Sequence, residues 1–275
     1  MSCLLHLSDT HFGTEQPEVL AALRRLALAV RPDVLLMSGD ITQRATAAQF
    51  RAARAFVDSL DIAAVVAIPG NHDIPLLALN QRLFSPYARF SASFGNELEP
   101  GYESDDVRVI TVNSTRWYRH KNGTLSARQI EAVARRLDQA RPGQWRLVMM
   151  HHPIAVTQPR DIVNRVHHHA AAIQRWREAG ADLVLGGHIH LPYVVPLHRT
   201  AEAAAGHAST LRPQRPLWAV QAGTAMSWRV RREAGPSVNI IRTHAGVHRL
   251  ALVERWDHIE PDRGFERVSV HDFTA

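Results

Sequence analysis

Six short apolar runs recur through the first two thirds of the chain, and each stops on a tail of polar residues or glycine. They are Leu4 to Ser8, Asp33 to Ser38, Ala63 to Ile68, Val107 to Val112, Arg146 to Met150 and Asp182 to Leu185. Between them, Pro17 to Val30, Ala45 to Leu60 and Ser126 to Gln139 place apolar residues at helical spacing. Parallel strands cannot be joined by tight turns and need a crossover, usually a helix. Strand and helix in alternation therefore predict an α/β fold with a mainly parallel sheet. Ser126 is placed to cap its helix, and Pro32 closes the first one.

The pattern changes beyond Leu191. Residues 197–216 have little apolar periodicity and read as a loop or excursion. Leu217 to Gln221, Ser237 to Thr243 and Val247 to Val253 read as strands, the last two joined through Ala245-Gly246 as a hairpin. The expected organisation is a single domain over 1–275. Its motif-bearing part is 1–195, with the excursion at 196–216, strands at 217–257 completing a second sheet, and a C-terminal tail at 258–275.

A hydrophobic content of 45% excludes a disordered chain. The formal charge of +6 favours an anionic partner. Cys3 is the single cysteine, so no disulfide forms within the chain. Charged and polar residues interrupt the start too early for a signal peptide, and no run is long enough to span a membrane, so a cytoplasmic location is expected.

What collects at the strand ends carries the chemistry. These ends read Ser8-Asp9-Thr10-His11, Ser38-Gly39-Asp40, Pro69-Gly70-Asn71-His72-Asp73, His151-His152-Pro153 and Gly186-Gly187-His188-Ile189-His190. The C-terminal edge of an open α/β sheet is where sites assemble. Residues two apart on an extended segment share a side, so Asp9 with His11, and His188 with His190, can each present two donors to one volume. One such pair among 17 histidines means little; five converging ends mean a great deal.

In order and type these residues resemble the calcineurin-like metallophosphoesterases, and among them the class III cyclic nucleotide phosphodiesterase branch. The likeness covers residue 4 to about 192. It implies a four-layer α/β/β/α sandwich of two mixed sheets flanked by helices. It also implies two metal ions, one held by Asp9, His11, Asp40 and His190 and the other by Asp40, Asn71, His151 and His188, with Asp40 bridging. His72 is implied as the catalytic histidine beside the phosphate, with Asp73 orienting it.

The residue chemistry agrees with two transition-metal ions. Mixed His, Asp and Asn ligation suits Mn, Fe or Zn, whereas an all-oxygen Mg or Ca site has no need of four imidazoles. A bridging carboxylate holds two ions about 3.5–4 Å apart, the spacing of two-metal hydrolases. Two divalent ions, two carboxylates and one bridging hydroxide leave a net charge of about +1, matched to a phosphodiester monoanion. The expected activity is phosphodiester hydrolysis by that hydroxide, with His72 as proton donor or, alternatively, as stabiliser of charge on the phosphoryl oxygens. A 3',5'-cyclic nucleotide substrate is implied by the resemblance alone. Alternatives using the same site are a nuclease and a phospholipid or nucleotide pyrophosphohydrolase, whose acyl chains would need an apolar groove such as the 197–216 excursion. A metal-free, partner-binding scaffold is the non-enzyme alternative. The expected partner is a small anionic phosphodiester, with nucleic acid second and a homodimer admitted.

Other residues are assigned more plainly. Asn113, Arg116 and His120 are candidate substrate contacts, and Trp117 and Tyr118 candidate stacking partners for a base. Arg229, Arg231 and Arg232 read first as a solvated strand face, with a substrate fringe as the alternative, and His152 as structural. His167 to His169 read as a solvated face near the site. His6, His198, His207, His244, His248, His258 and His271 lack partner spacing and read as surface residues. The last histidine motif runs on into Leu191-Pro192, where relatives often carry a polar or basic residue.

Overall fold

In the computed structural model, the described residues are 1–197, 216–246, 249–260 and 263–274. The first strand, β1 (Ser2–Leu7), is buried along its whole length and shows how the layers are set. Leu5 and Leu7 pack outward into one core cluster, while Leu4 packs inward into another. On β2 (Val34–Met37), Leu35 and Met37 point outward while Val34 and Leu36 point inward. This is the two-residue period of a strand covered on both faces, which is why both read as continuous apolar runs.

Two six-stranded sheets result. One has the order β12-β11-β10-β1-β2-β3, with β3 at Ala64–Ala67, β10 at Ser237–His244, β11 at Leu250–Glu260 and β12 at Gly264–Thr274. The other has the order β4-β5-β6-β7-β9-β8, with β4 at Tyr102–Glu103, β5 at Val107–Thr111, β6 at Trp145–Met149, β7 at Leu183–Gly186, β8 at Tyr193–Pro196 and β9 at Trp218–Gln221. β1 to β3 run parallel, as do β5, β6, β7 and β9; antiparallel strands complete each sheet. The sheets meet face to face through Leu4, Leu36 and Ile241 on one side and Val109, Leu147 and Leu185 on the other. Helices α1 (Pro17–Val30) and α2 (Ala47–Asp58) cover the outside of the first sheet. Short helices α3 (Leu79–Phe84) and α4 (Ala88–Phe94) follow β3; α5 (Ala127–Asp138) and α6 (His169–Glu178) cover the second sheet. The layers are α/β/β/α, as the resemblance implied. Ser126 caps α5 in a reciprocal box with Gln129, and Thr46 caps α2 by accepting from the Gln49 amide.

The late strands depart from expectation. They do not complete one sheet: β9 pairs with β7 in the second sheet, while β10 and β11 extend the first from the side of β1. Residues 258–275 are not a tail, since β12 pairs along β11. Between Phe265 and Phe273 its residues are half-buried or exposed at the sheet edge, so no apolar run marks it. His6 is not a surface residue but is fully buried in β1. His198, His207, His248 and nearly all of the 197–216 excursion lie outside the described residues. Among the described residues no helix is long and apolar enough to cross a membrane.

One connection matters for the site. Residues 222–236 leave β9 in one sheet and enter β10 in the other, so they must pass over the C-terminal strand edge. The Thr224 hydroxyl donates to the Asp9 carbonyl at 2.6 Å, and the Ala225 amide to the Ser8 carbonyl at 3.0 Å.

Candidate metal centre

Asp9, His11, Asp40, His188 and His190 all take left-handed backbone conformations, with φ between 44° and 73°. Side-chain-bearing residues avoid this region at a cost on the order of 1 kcal/mol each, Asp and His less than most. Five together mark a place where the strand ends turn sharply to aim their side chains inward. Two glycines make room. A Cβ on Gly70 would collide with the Asp40 amide and carboxylate, and one on Gly187 with the Ser8 hydroxyl and the Asp9 carboxylate.

The side chains form two groups sharing a wall. His190 Nε2 lies 3.1 Å from Asp9 Oδ1 and 3.1 Å from His11 Nε2. His151 Nε2 lies 3.3 Å from Asp40 Oδ1, 3.2 Å from Asn71 Oδ1 and 3.3 Å from His188 Nδ1. Asp40 also faces the first group, with Oδ2 at 3.8 Å from His11 Nε2. Asp9, His11 and His190 have donor atoms within 4.8 Å of one another, as do Asp9, Asp40 and His151.

Their other atoms are tied down, which fixes what remains available. His151 Nδ1 donates to the Ser38 carbonyl at 2.9 Å, and His190 Nδ1 donates to the Arg229 carbonyl, so each Nε2 lone pair is turned to the cluster. Asp9 Oδ2 accepts from Ser8 Oγ at 2.6 Å and from the His188 amide at 2.8 Å. Asp9 Oδ1 is buried with no hydrogen-bond partner. A buried, unpartnered carboxylate oxygen facing imidazole lone pairs fits a cation.

The electrostatics point the same way. Burial alone would raise Asp9 and Asp40, yet surrounding histidines hold both carboxyls well below their usual range. Burial lowers His151, but Asp40 beside it outweighs this and pushes the imidazole up to about 9. Desolvation in the cluster and the neighbouring His151 push the half-buried His188 down to about 3. A cation held between the two carboxylates would compete with a proton for His151.

His72 stands beside this cluster, its ring centroid 4.9 Å from that of His11. Its amide donates to Asp40 Oδ1 at 2.7 Å, and its Nδ1 to the Gln43 carbonyl at 3.0 Å. Asp73 does not orient it. The Asp73 carboxylate instead accepts from the Ile41, Thr42 and Gly70 amides at 2.8–3.0 Å and from Thr42 Oγ1 at 2.8 Å. Adjacent residues of a tight 3₁₀ turn point in different directions, so Asp73 ties the β2 and β3 loops together while Gln43 holds His72.

A cleft of about 450 Å³ opens over the cluster, lined among others by His72, His120, Lys121, Asn164, Arg229 and Arg231. Of the expected substrate contacts, only His120 is there. Arg116 turns back onto the Asn113 and Thr115 carbonyls at 3.0 and 2.7 Å. Asn113 Oδ1 accepts from the Thr115 amide and hydroxyl, closing a local turn, and the residue lines a different hollow with Glu99 and Gln129. Trp117 and Tyr118 pack edge to face on each other and stay exposed. His152, read as structural, has Nδ1 at 2.8 Å from Ser114 Oγ and Nε2 at 3.1 Å from the Lys121 carbonyl, and it also stands within ligand range of His151 and His188.

Arg229 and Arg231 were expected first on a solvated face; both belong to the cleft wall instead. Arg229 Nη1 reaches Gln43 Oε1 at 3.1 Å and His72 Nε2 at 3.3 Å. Arg231 is clamped by Asp161 at 2.9 Å. The available signal was that their basic run follows a further strand end, that of β9. Lys121, Asn164 and Gln43 carried no signal of their own.

Residues 4–192 match the calcineurin-like phosphoesterase family, and the chain belongs to it. That family works with two divalent metal ions, and the clusters described are candidates to hold them. A Rhodococcus erythropolis protein named a probable cyclic nucleotide phosphodiesterase is 25% identical over 202 residues, which is 68% of this chain and 64% of that one. A Synechococcus protein, also named a probable cyclic nucleotide phosphodiesterase, is 30% identical over 176 residues, 59% of this chain and 60% of that one. The chain thus spans less than two thirds of the length of these curated relatives. A dimetal phosphatase from Danio rerio shares the fold, with a TM-score of 0.67 over 99% of this chain and 98% of that one at 11% identity.

Proposed function

We propose that the chain is a metal-dependent phosphodiesterase, with 3',5'-cyclic nucleotides as the first substrates to try. Asp9, His11, Asp40 and His190 would hold one ion, and Asp40, Asn71, His151 and His188 the other. The observation that carries the reading is Asp40, whose two carboxylate oxygens face the two histidine groups at 3.8 and 3.3 Å. Such ions, of which Mn, Fe and Zn suit these donors, supply Lewis acidity that makes water nucleophilic near neutral pH and draws charge from phosphoryl oxygens.

The chain's own residues do the rest. His72 keeps its Nδ1 proton on the Gln43 carbonyl, so its Nε2 is the atom that exchanges a proton in the cleft. Arg229 donates to that nitrogen at 3.3 Å. A phosphate entering the cleft competes for Arg229, which frees Nε2 to take up a proton from water and pass it to the leaving oxygen, returning the ring to its neutral form with the proton on Nδ1. Arg229, Arg231 and Lys121 make the wall cationic, which favours an anionic ester and speeds its capture. The relatives named cyclic nucleotide phosphodiesterases support the substrate suggested, and the cleft is in the size range of small-molecule sites. A metal-free scaffold would leave Asp9 Oδ1 orphaned and five left-handed residues without a purpose, which disfavours that alternative.

The test is metal analysis of protein purified without chelator, followed by turnover of a chromogenic diester and of a panel of cyclic nucleotides, dinucleotides and single-stranded DNA with Mn. Two ions per chain and cleavage of the diester are expected. Protein that binds no transition metal and cleaves none of these would sink the reading.

A further inference from the structure

Among the described residues sixteen large apolar side chains are exposed, and eleven of them fall in four segments, 76–84, 117–118, 162–163 and 228–230. Each adjoins, in sequence or by a hydrogen bond, a segment that lines the cleft. Trp228 and Val230 flank Arg229, Ile162 and Val163 precede Asn164, and Trp117 and Tyr118 precede His120, all three being residues of the cleft wall. Segment 76–84 is tied in by Arg82, which donates to the carbonyls of Pro75 at 3.1 Å and Arg119 at 3.4 Å. Leu77 and Phe84 are each 85% exposed. Single exposed apolar residues need no explanation, but such a cluster around an opening marks an interaction surface.

The same rim carries the protein's positive charge. Residues 76–84, 116–121, 158–165 and 228–233 hold nine Arg or Lys against two acids, a net of +7, while the whole chain is +6. The rest of the molecule is therefore close to neutral. Seven of the eleven rim residues are Leu, Ile or Val. Bases of a single strand stack on aromatic rings and gain little from aliphatic side chains, whereas acyl chains gain from both. Trp, Tyr and Arg beside aliphatics is the composition that lies at a lipid–water interface.

We propose that the mouth of the cleft docks on an anionic phospholipid surface, its apolar rim entering the headgroup region and its basic residues pairing with lipid phosphates. Docked this way, the donor cluster faces the lipid. A phosphodiester carried by a headgroup is then within its reach, beside soluble diesters such as cyclic nucleotides. That substrate class rests on the phosphodiesterase reading, whereas the docking does not.

The full chain, loaded with Mn, is sedimented with vesicles of phosphatidylcholine alone and of phosphatidylcholine mixed with phosphatidylglycerol, and its turnover of a soluble chromogenic diester is measured separately. Retention on the mixed vesicles, weakening as salt rises, is the expected result. Leu77→Asp combined with Phe84→Asp should weaken retention about tenfold or more, because two inserted side chains become charged. Leu28→Asp, at an exposed apolar position on α1, should leave it unchanged. Thermal melts of the variants report that the fold is kept. No retention on either vesicle, or retention that the rim pair does not weaken, overturns the proposal. So does retention of a single-stranded oligonucleotide in place of vesicles, or a lipid-free dimer that the rim pair abolishes. Diester turnover without retention would leave the phosphodiesterase reading standing and remove the docking; retention without turnover would do the reverse.

Discussion

On the floor of the cleft, Asp9, His11, Asp40, His188 and His190 sit at strand ends, buried or nearly so, and bent into left-handed backbone. On its walls, His120, Lys121, Arg229 and Arg231 ride on connecting segments and are at least partly exposed. Floor residues are held by backbone carbonyls of neighbouring segments, as His151 is by that of Ser38 and His190 by that of Arg229. Wall residues are held by one another, as Arg231 is by Asp161. A site that positions ions needs sub-ångström placement, which packed strands supply; a site that admits different esters needs side chains that can yield.

The sharpest test of that division is the pair Asp40→Ala and His72→Ala. Losing Asp40 removes a buried charge shared by both clusters, at a cost of about 3–5 kcal/mol, so metal content and diester turnover should both fall several-hundred-fold or more. His72→Ala should keep its metal and lose about 10²–10⁴ in kcat, the usual worth of a placed proton donor. Equal loss of metal from both variants would merge floor and wall into one unit.

Beneath the floor, His6 offers a pH handle. Its Nε2 faces Ser38 Oγ at 2.9 Å, and burial lowers its pKa to about 4. A histidine lowered in the folded state takes up its proton more readily when unfolded. Stability is then fully present above about pH 6.5 and is lost as pH falls toward 4, by on the order of 3 kcal/mol. His6→Leu should flatten that part of a stability-versus-pH curve followed by urea unfolding. An unchanged acid limb would show that the weakness lies elsewhere.

The floor was readable in sequence because metal chemistry restricts both residue type and spacing, and because strand ends announce themselves by glycine and a break in the apolar run. Gly187-His188-x-His190 is such a sentence in four letters. Of the wall only His120 was readable outright, because Arg229 reaches His72 only through the crossing of residues 222–236 from one sheet to the other. That crossing depends on β10 pairing with β1 rather than with β9, a choice between two equally apolar neighbours that no local pattern records. Asp73 misled for a related reason: adjacency in sequence to His72 suggested contact, whereas the turn sends it to three backbone amides of neighbouring loops. β12 was missed because between Phe265 and Phe273 this edge strand is half-buried or exposed and resembles a tail.

Among wall residues, Arg229 should matter most. Its guanidinium bridges Gln43 and His72, so Arg229→Ala should lower kcat/KM for an anionic diester about tenfold or more, the worth of one charge-assisted hydrogen bond. Metal content should not move. Arg229→Lys should recover part of the loss by supplying the charge without the fork. A variant that instead sheds metal would place Arg229 with the floor, through the carbonyl it offers to His190.

The smallest effect is predicted where a strand end looks like a floor residue and is not. Asn113 follows β5 as His151 follows β6, yet its side chain closes a turn onto Thr115 at 2.6–2.9 Å, and its amide donates to Glu99 at 2.8 Å. Nothing of it enters the cleft. Asn113→Ala should therefore cost about 1 kcal/mol of stability through the lost turn and change kcat/KM less than twofold. The contrast with Arg229→Ala, measured on the same diester under the same metal loading, separates the two kinds of strand-end residue. If Asn113→Ala instead lost activity as steeply as Arg229→Ala while keeping its melting temperature, substrate would have to reach the hollow beside Glu99 and Gln129, and the wall drawn through His120 and Arg229 would be on the wrong side of the floor.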